Sequence, residues 1–521
     1  MDELAKIKHM VSTKFKVSGF FIKSDSAEYL AGMLLPLNVD DRNKWLKDIL
    51  SHIQQQGTNS LHIERDHLDL AIRDCTNKGL DENETIFSVI SAFEVPRFKY
   101  NEDRKKFTID SESTRSFIAD CSMKSQYIRD RYVLLWQRTI RHPLFASNPV
   151  LSETRPTFQL KKVEQLLSSS KLKDIVVLGL LTQLSEGKYY IEDPTGAVQI
   201  DISSATMHSG LFCEGCFVLA EGTYSDEVLK VTGLGFPPPE MANSSRAFFG
   251  TANTWGGKSK ILLKYSKKLA ELEKKNELDG IVFMSECWLD VPLVMQKLKI
   301  LFKGYDEFPP IAIVLMGPFM KTFENPHDLK IHLNTLSELI NSTNRLKRET
   351  YIVMVPANED PISVNVLPRP PLPESLTSEM QKKCPKVIFT TNPCRIQYCT
   401  QQIVIMKSEL VTKLCRNTIK FPSSGTLDDH FTRTLISQGT LAPLHPIALP
   451  TFWDLDAAMT LYPLPDLVVI GDPSNAFHAK HHDCTVINTG SFPKSNFAFK
   501  VYMAASKTVE DSELPDDDDS V

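Results

Sequence analysis

Two carboxylates and a thiol follow directly after an apolar run in the segment IVFMSECWLD, residues 281–290. In parallel α/β sheets, ligand-binding side chains commonly lie in the loop that follows a strand. Glu286 and Asp290 are oxygen donors of the kind that hold divalent metals, and a pair of such metals can hydrolyse a phosphoester. The segment therefore poses the question whether this loop holds a metal or has lost that ability.

Alternating strand and helix patterns over residues 276–515 predict the α/β domain that positions this loop. Apolar runs such as IAIVLM, YIVMVP, KVIFTT, RIQYCTQQIVIM, DLVVIGD and TVINTG are separated by helical patterns, among them 329–340 and 409–435. Near-continuous apolar runs are typical of strands that are buried on both faces. Four more strand ends carry polar or unusual loop residues: Pro318, Asn358 with Asp360, Asn392, and Asp472 with Ser474.

Five short strand patterns within residues 161–240 predict a small β-barrel of the OB-fold type. Tyr189 and Tyr190 are the candidates for stacking on single-stranded nucleic acid, which requires exposed rings among basic residues. Glu192, Asp193 and Asp201 instead place negative charge around them. The pattern favours a structural or protein-binding barrel and leaves the two tyrosines as weak candidates for nucleic-acid binding.

Amphipathic patterns over residues 1–95 predict a small all-α domain. Its helices include one that carries Leu46, Ile49 and Ile53 on one face, and a last one over 86–93. The polar residues 96–120 predict a linker that lets this domain move. A helix and connector over 121–160 lead into the barrel, a connector and a helix over 241–275 follow it, and 516–521 form an acidic tail. The arginines of the helix near residue 130 suit a solvated or interface-facing surface better than a nucleic-acid site: Arg129, Arg131, Arg138 and Arg141.

Composition limits the classes of function. Lysine and arginine number 59 against 64 acidic residues, a net charge of −5, which argues against a protein that binds nucleic acid through a broad positive field. The longest apolar stretch, near residues 309–320, is too short to span a bilayer, so no membrane partner is expected. The first ten residues lack the apolar core of a signal peptide, and the ten cysteines have no framework spacing, which predicts reduced thiols in the cytosol or nucleus.

Two further clusters have the residue types of a metal site. Cys213 and Cys216 form a C-x-x-C pair, for which Cys394 and Cys399 would be an unusually spaced second half of a zinc site. The other cluster is FHAKHHDC, with His478, His481, His482 and Cys484. Buried free thiols and an ordinary polar loop are the interpretations that these spacings favour.

The five strand-end loops resemble, in order and setting, those of calcineurin-like metallophosphoesterases. That family carries D-x-H, G-D-x-x-D, G-N-H-[DE], a lone His and G-H-x-H, whereas this chain has ECW, GPF, ANED, Asn392 and GDPS. An indole has no lone pair for a metal, and Pro318 stands where the bridging aspartate belongs. The resemblance therefore implies an inactive domain with no cofactor, whose degenerate metal-loop positions are Glu286, Trp288, Pro318, Asn358, Asp360, Asn392, Asp472 and Ser474.

A barrel joined to such a domain resembles the B-subunit family of replicative DNA polymerases. The stretches YYIEDPTGAVQIDIS, LPRPPLPESLT, TTNPCRIQYCTQ and INTGSFPKSNFAFKVY are similar to the branch that serves the epsilon polymerase, and the N-terminal helices resemble its small domain, which is like the lid of AAA+ ATPases. The resemblance covers nearly the whole chain.

The resemblance implies a non-catalytic, nuclear subunit of the DNA polymerase epsilon complex that takes part in DNA replication. Its expected partners are the C-terminal zinc-containing domain of the catalytic subunit and, through the N-terminal domain, the GINS part of the replicative helicase. The small histone-fold subunits would be indirect partners, and DNA would be contacted mainly through the complex. Two alternatives stay open: an active metallophosphoesterase or 3′-exonuclease, and a single-strand DNA-binding OB protein.

Overall fold

The computed structural model describes residues 3–35, part of the chain between 42 and 71, and 85–515 apart from 111–114, 147–157, 260, 323–324 and 362–363. The predicted acidic tail, 516–521, lies outside the described residues. Within the described part, no helix combines the length and the apolar character needed to cross a bilayer.

The N-terminal helices form around a small core of their own. Helix α1 (Glu3–Val17) and helix α2 (Ser24–Leu34) pack together, and a short parallel pair joins β1 (Phe21–Ile22) to β2 (His62–Ile63). Four-residue spacing puts Ile7, Val11 and Phe15 on one face of α1, where all three are buried. The apolar face predicted for the helix that carries Leu46, Ile49 and Ile53 is buried in the same core.

The helix predicted over 86–93 is wrong. Phe87–Ser91 is a strand, β3, that pairs antiparallel with a distant strand (Cys394–Tyr398), matching Val89 to Ile396. The apolar positions fit both a helical period and two-residue alternation, and short runs of this kind cannot be assigned by spacing alone. Pairing with a partner far along the sequence decides in favour of the strand.

The linker predicted over 96–120 is also wrong for its first half. Strands β4 (Phe98–Asn101) and β5 (Lys106–Ile109) form a hairpin. The ring of Phe107 stacks on Phe249 at 4.9 Å, and the buried Arg97 pairs with Asp130 at 2.9 Å and with Asp454 at 3.3 Å. The segment is polar in sequence but is not a linker, because its charged side chains pair with acids on other elements and with one another.

Helix α3 (Ser122–Arg141) crosses from this hairpin to the barrel, and its arginines are mostly engaged within the chain rather than solvated. Arg131 pairs with Asp456, and Arg141 holds Glu240 through two nitrogens at 3.0 and 2.8 Å. The buried Arg138 donates to the carbonyl oxygens of Pro237 and Ser437. Arg129 remains exposed. These arginines join the helix to the rest of the body.

The predicted barrel is present and closed. Its strand order is β10-β12-β11-β7-β8-β9, β12 also pairs with β9, and β6 adds to β7. A short helix, α4 (Val163–Leu167), precedes β7. The strands are β6 (Leu160–Lys161), β7 (Lys171–Ser185), β8 (Lys188–Asp193), β9 (Gly196–Asp201), β10 (Thr206–Met207), β11 (Phe217–Ser225) and β12 (Val228–Gly235).

The α/β domain contains two six-stranded sheets. The first has the order β16-β15-β14-β13-β22-β23, and the second has the order β20-β21-β19-β18-β17-β3. Strands of the first sheet are β13 (Gly280–Ser285), β14 (Ala312–Met316), β15 (Tyr351–Val355), β16 (Val387–Phe389), β22 (Ala498–Met503) and β23 (Thr508–Glu513). The second sheet adds β17 (Cys394–Tyr398), β18 (Gln401–Met406), β19 (Leu467–Ile470), β20 (Phe477–His481) and β21 (Cys484–Asn488) to β3.

The helices of this region connect and cover the sheets. In chain order they are α5 (Ala242–Arg246), α6 (Lys267–Lys275), α7 (Pro292–Glu307), α8 (Pro326–Asn341), α9 (Leu346–Glu349), α10 (Glu374–Lys383), α11 (Leu410–Asn417) and α12 (Leu427–Gln438). The connector predicted over 241–275 thus contains α5, and its predicted helix is α6. The single stretch predicted over 409–435 is divided into α11 and α12.

The two sheets face each other across one apolar core. Phe283 of β13 and Val353 of β15 meet Ile405 of β18 and Val469 of β19 in that core. Neighbours such as Val282 point the other way, toward α7 and α8, because successive side chains of a strand alternate between faces. The outer face of the second sheet shares a further core with α11, α12 and the barrel. The overall class is therefore multidomain, with N-terminal helices, an OB-fold barrel and an α/β phosphoesterase-like domain.

A truncation tests where the body begins. A chain starting at residue 85 should retain cooperative unfolding, because β3 and the β4–β5 hairpin stay paired. A chain starting at residue 122 exposes the edge of β17 and removes Arg97 from Asp130 and Asp454. We expect it to aggregate or to unfold at least about 5 °C lower, since an exposed edge strand and uncompensated buried acids both destabilise.

The thermal unfolding midpoint, monitored by circular dichroism, is measured for the two fragments and for the full chain. Equal midpoints for the two fragments would show that residues 85–121 are a dispensable linker after all.

Candidate functional site

The five strand-end loops meet at one edge of the two sheets. Parallel strands β13, β14, β15 and β16 bring the loops after them together, and β19 does the same from the second sheet, where the loop after its parallel neighbour β18 joins them. The loops are joined directly: the Glu286 N–H donates to the Gly317 carbonyl at 3.3 Å, and the Phe319 N–H donates to Asp360 at 2.8 Å. We call this place the strand-end crevice, formed by residues 286–290, 317–319, 357–360, 392, 407 and 471–474.

Glu286 is the first residue after β13, and it is buried in the left-handed backbone region with φ of 60°. One of its carboxylate oxygens accepts a hydrogen bond from the Ser491 hydroxyl and pairs with Lys494 at 3.1 Å. An oxygen already engaged by a hydroxyl and an ammonium is a poor ligand for a cation.

The Trp288 side chain is half-buried and packs against the core beneath its loop. Two ammonium groups lie near its ring, Lys321 at 5.5 Å and Lys494 at 5.2 Å from the centroid. Asp290, the second acid of this segment, accepts the backbone N–H groups of Lys321 and Thr322. Both side chains therefore stabilise the loop after β14.

Asp360 ties the loop after β15 to the loop after β14. Its oxygens accept the N–H of Ala357 at 2.7 Å and of Phe319 at 2.8 Å. Burial raises the pKa of Asp360 to about 6, against the lowering effect of those two hydrogen bonds. Gly317, which precedes Pro318, allows this approach: a β-carbon there would lie 2.9 Å from the Ala357 nitrogen and closer still to the carboxylate.

The side chains of Asn392 and Asp472 both bind backbone groups of other segments. The Asn392 side chain binds both backbone groups of Lys407, donating to the carbonyl at 2.7 Å and accepting the N–H at 3.0 Å. Asp472 accepts the N–H of Val411 at 2.9 Å and of Thr412 at 3.3 Å, in the first turn of α11. A carboxylate at a helix N-terminus is stabilised by exposed N–H groups and by the helix dipole.

Two positions remain. The Ser474 N–H donates to Asp472 at 2.9 Å, and its hydroxyl accepts from Asn488 at 3.1 Å. The Asn358 carbonyl accepts from Arg369 at 2.7 Å, while its side-chain oxygen is buried without a hydrogen-bond partner among the described residues. Ser285 and Ser408 have similar unpartnered hydroxyls. Neutral oxygens of this kind do not supply the bridging carboxylate and imidazoles of a two-metal site, so the donor set does not fit the ions that the fold family implies.

Lys407 is a residue of the crevice that the sequence patterns did not single out. It follows β18 directly and is only 4% exposed. Burial lowers the pKa of its ammonium, and the negative charges of Glu286, Glu359, Asp472 and Glu409 oppose that lowering. A lysine placed immediately after the apolar run QQIVIM, in the same position relative to its strand as Glu286, was the signal that could have identified it.

The two tyrosines of the barrel do not form a common surface. They are consecutive residues of β8, so their side chains point to opposite faces of the sheet. Tyr189 packs against the core that the barrel shares with the α/β domain. A platform that stacks successive bases needs neighbouring rings on one face.

The cysteine and histidine clusters are also dispersed. Cys213 and Cys216 are buried, and their thiols donate to the carbonyls of Leu414 at 3.4 Å and Pro443 at 3.1 Å. Cys394 and Cys399 lie in the core between the two sheets. His478 is exposed on β20, and burial lowers the pKa of His481 to about 4, while Cys484 is buried on β21. Among the described residues, no three His, Cys, Asp or Glu side chains come together as a metal site.

Comparison with known families covers all three regions. Residues 3–75 match the family described as "DNA polymerases epsilon N terminal", 121–238 match "DNA polymerase epsilon subunit 2-like, OB-fold domain", and 281–479 match the B-subunit family of the alpha and epsilon DNA polymerases. "DNA polymerase epsilon subunit 2" of Drosophila melanogaster is 51% identical across 99% of both chains. The Homo sapiens protein of that name is 41% identical over 98% of this chain and 99% of its own length. Similarity on this scale extends over the whole chain and confirms the resemblance seen in the sequence.

The packing of Gly317 against Asp360 leads to a prediction. Gly317→Ala should lower the free energy of unfolding by about 2–4 kcal/mol, because the new methyl group displaces the carboxylate from the two N–H groups it satisfies. Chemical denaturation of the full chain measures this loss.

Gly304→Ala is the matched control. Gly304 lies in α7 with open space around its missing side chain, so alanine should be neutral or stabilise the helix by up to about 1 kcal/mol. Equal stability of the two variants would contradict a tight approach at Gly317.

Proposed function

The chain belongs to the DNA polymerase epsilon subunit 2 family, and from that premise we propose that it holds the C-terminal, zinc-containing domain of the catalytic subunit. It is an accessory subunit of polymerase epsilon, and the proposed site of action is the nucleus. The observation that carries the proposal is the state of the strand-end crevice. The carboxylates of Glu286, Asp360 and Asp472 are engaged, in part by bonds that join loops, so the crevice serves rigidity rather than catalysis.

We further propose that the phosphoesterase-like domain hydrolyses nothing and carries no metal. Asp360 and Asp472 each accept two backbone N–H groups, Asn392 binds the backbone of Lys407, and Glu286 is paired with Lys494. Binding a metal would require these groups to give up partners that replace their lost hydration. The hydrolase or 3′-exonuclease alternative has no such set of free ligands to support it.

The junction of the barrel and the α/β domain supports the scaffolding role. The Gln438 side chain of α12 forms two hydrogen bonds of 2.8 Å with the backbone of Phe217, at the start of β11. The Ile419 N–H donates to the Phe212 carbonyl at 2.8 Å. A partner that docks across this junction meets one rigid surface and loses little entropy in ordering it.

Two exposed apolar side chains lie next to that junction. Phe421 is 57% exposed and follows the segment that pairs with Phe212, and Ile447 is 86% exposed in the loop where His445 contacts Glu214. Exposed apolar side chains at a rigid junction are typical of protein interfaces. We propose them as part of the surface that binds the catalytic subunit.

The N-terminal helices are proposed to bind the GINS part of the replicative helicase. Among the described residues, their core is built from side chains between residues 4 and 71, so they form a unit with its own surface. A unit of this size offers a modest interface, which suits a regulated contact. The histone-fold subunits and DNA are proposed to be reached through the rest of the complex. Direct single-strand binding by the barrel has less support, because Tyr189 and Tyr190 do not share a face.

Metal analysis and a nuclease assay test the proposed inactivity. The purified full chain should contain well under one transition-metal ion per molecule and should not cleave phosphomonoesters or single-stranded DNA with added Mn²⁺. Glu286→Ala is the control for contaminating nucleases: activity that this change leaves intact belongs to another protein. Two ions per chain, or cleavage abolished by Glu286→Ala, would refute the proposal.

Pull-down of recombinant partners tests the scaffolding. Phe421→Asp combined with Ile447→Asp should weaken capture of the catalytic subunit's C-terminal domain at least about tenfold, since apolar anchors at an interface contribute a kcal/mol or more each. Deleting residues 1–84 should leave that capture intact and abolish capture of GINS.

Leu278→Asp is the matched control for the first variant. Leu278 is 85% exposed, beside the start of β13, where no contact is proposed. If this variant loses the catalytic subunit as severely, or if the deletion keeps GINS, the assignment of the two surfaces is wrong.

A further inference from the structure

We propose that an extended segment of the catalytic subunit adds to the second sheet as a further strand, alongside β3. The contact surface is the backbone of Phe87–Ser91 on the side that faces away from β17, which we call the β3 edge. The inference rests on the proposed scaffolding of the catalytic subunit and adds one place and one mode of contact.

The hydrogen-bonding pattern of β3 determines which backbone groups reach this edge. In an antiparallel pair of strands, every second pair of opposite residues exchanges hydrogen bonds. The Cys399 N–H donates to the carbonyl of Ile86, the residue before β3, at 2.7 Å, which fixes the phase of this alternation. Ser88 and Ile90 therefore bond to β17, and the residues that alternate with them turn their N–H and C=O groups to the β3 edge.

Those outward residues are Phe87, Val89 and Ser91. The Ser91 N–H donates to the Glu94 carboxylate at 2.9 Å, which closes the edge at its C-terminal end. No described residue forms a hydrogen bond with the outward groups of Phe87 and Val89. Two residues at strand spacing thus present both a donor and an acceptor, the pattern that another extended backbone can match.

The composition of β3 leaves this edge unprotected. Proteins usually protect sheet edges by charge, by short length or by a covering segment. At the other edges of the two described sheets, β23 carries three acidic residues, β20 carries a lysine between two histidines, and β16 has only three residues. β3 has five residues, FSVIS, with neither charge nor proline. An edge of this kind is suited to pairing with a strand of another chain.

A cavity of about 340 Å³ lies along the β3 edge and provides room for such a strand. Connector residues such as Trp255, Gly257 and Ile261 form its other wall. Trp255 is only 5% exposed, and its indole N–H is buried without a hydrogen-bond partner among the described residues. A buried donor without a partner is unfavourable, so a backbone carbonyl in the cavity would satisfy a group that the free chain leaves unpaired.

The walls of the cavity define the chemistry of the added segment. Val89, Ile261 and Leu263 belong to the core between the two sheets, whereas Ile90 and Trp255 belong to the core shared with the barrel. Side chains of an added strand would alternate between these two apolar margins. The segment is therefore an extended, uncharged run of β-branched or other apolar residues.

The position of β3 in the molecule identifies the chain that supplies this segment. β3 is paired with β17, so it belongs to the body that is proposed to hold the catalytic subunit and not to the N-terminal helices. Membership of the polymerase epsilon family makes the catalytic subunit the expected lasting partner. Main-chain pairing along a sheet edge suits a lasting contact of this kind.

Hydrogen–deuterium exchange resolved to single residues tests the proposal on the full chain, alone and in its purified complex with the catalytic subunit. In the free chain, the amides of Ser88 and Ile90 should exchange slowly because they are bonded to β17, and those of Phe87 and Val89 should exchange fast. In the complex, we expect exchange at Phe87 and Val89 to slow by at least about tenfold. Ser88 and Ile90 are the internal control, since their protection should be present in both states.

Val89→Pro gives a second readout. Proline is tolerated on an edge strand where its missing N–H points away from the sheet, so the free variant should still unfold cooperatively. The loss of one intermolecular backbone hydrogen bond should weaken binding of the catalytic subunit about three- to tenfold in a titration. Val89→Ala is the matched control: it also shortens the side chain but keeps the N–H, and it should weaken binding less.

The outcomes separate this inference from the proposed function. If the complex forms while Phe87 and Val89 exchange as fast as in the free chain, the inference is overturned and the scaffolding proposal stands. If the full chain does not bind the catalytic subunit at all, both fail.

Two further results would also overturn strand addition by the catalytic subunit. Equal weakening by Val89→Ala and Val89→Pro would place the contact on the side chain. Protection of Phe87 and Val89 that is already present in the free chain and disappears on dilution would show that a second copy of this chain occupies the edge. If Val89→Pro is insoluble, the exchange measurement on the unaltered chain still decides.

Discussion

The apolar core between the two six-stranded sheets is the constraint on which the rest of the body depends. Strands such as β13 are buried on both faces, with Phe283 toward the other sheet and Val282 toward the helices. Such strands can end only where the core ends, so the loops after β13, β14, β15, β16, β18 and β19 must converge. The strand-end crevice is a consequence of this packing, whether or not it carries chemistry. The same core recruits β3, because the edge of β17 needs a partner.

Burying the carboxylates of converging loops is unfavourable in free energy, and groups of the protein itself offset this. Buried carboxylates need donors or cations, and in a hydrolase of this fold metal ions meet that need. Here the backbone of neighbouring loops meets it for Asp360 and Asp472, and Lys494 meets it for Glu286. All of these contacts except the one from Ala357 to Asp360 join separate segments of the chain. The result is a crevice whose shape is fixed by many hydrogen bonds, which is a useful property in a surface that must hold another protein.

Hydrogen bonds and ion pairs between distant segments also fix the region where the barrel joins the α/β domain. Helix α3 spans the region, and its arginines bind acids or carbonyls on elements far along the chain, as Arg131 does with Asp456 and Arg138 with Ser437. Guanidinium groups suit this role because their planar set of donors satisfies several acceptors at once. The barrel, the hairpin and both sheets therefore behave as one body, and the described N-terminal helices pack around a separate core of residues between 4 and 71.

Local patterns in the sequence determined the barrel strands, the buried sheets, the order of the strand-end loops and their lack of histidine, because alternation, turn residues and ligand chemistry are properties of short segments. The tertiary structure alone decided that Phe87–Ser91 is a strand, that residues 98–109 form a hairpin, and that Glu286 is engaged by Ser491 and Lys494. Each of these depends on a partner distant in sequence: Ile396 for Val89, Phe249 for Phe107, Ser491 for Glu286. No spacing within one segment encodes such a partner, since pairing and burial are fixed only when the sheets pack.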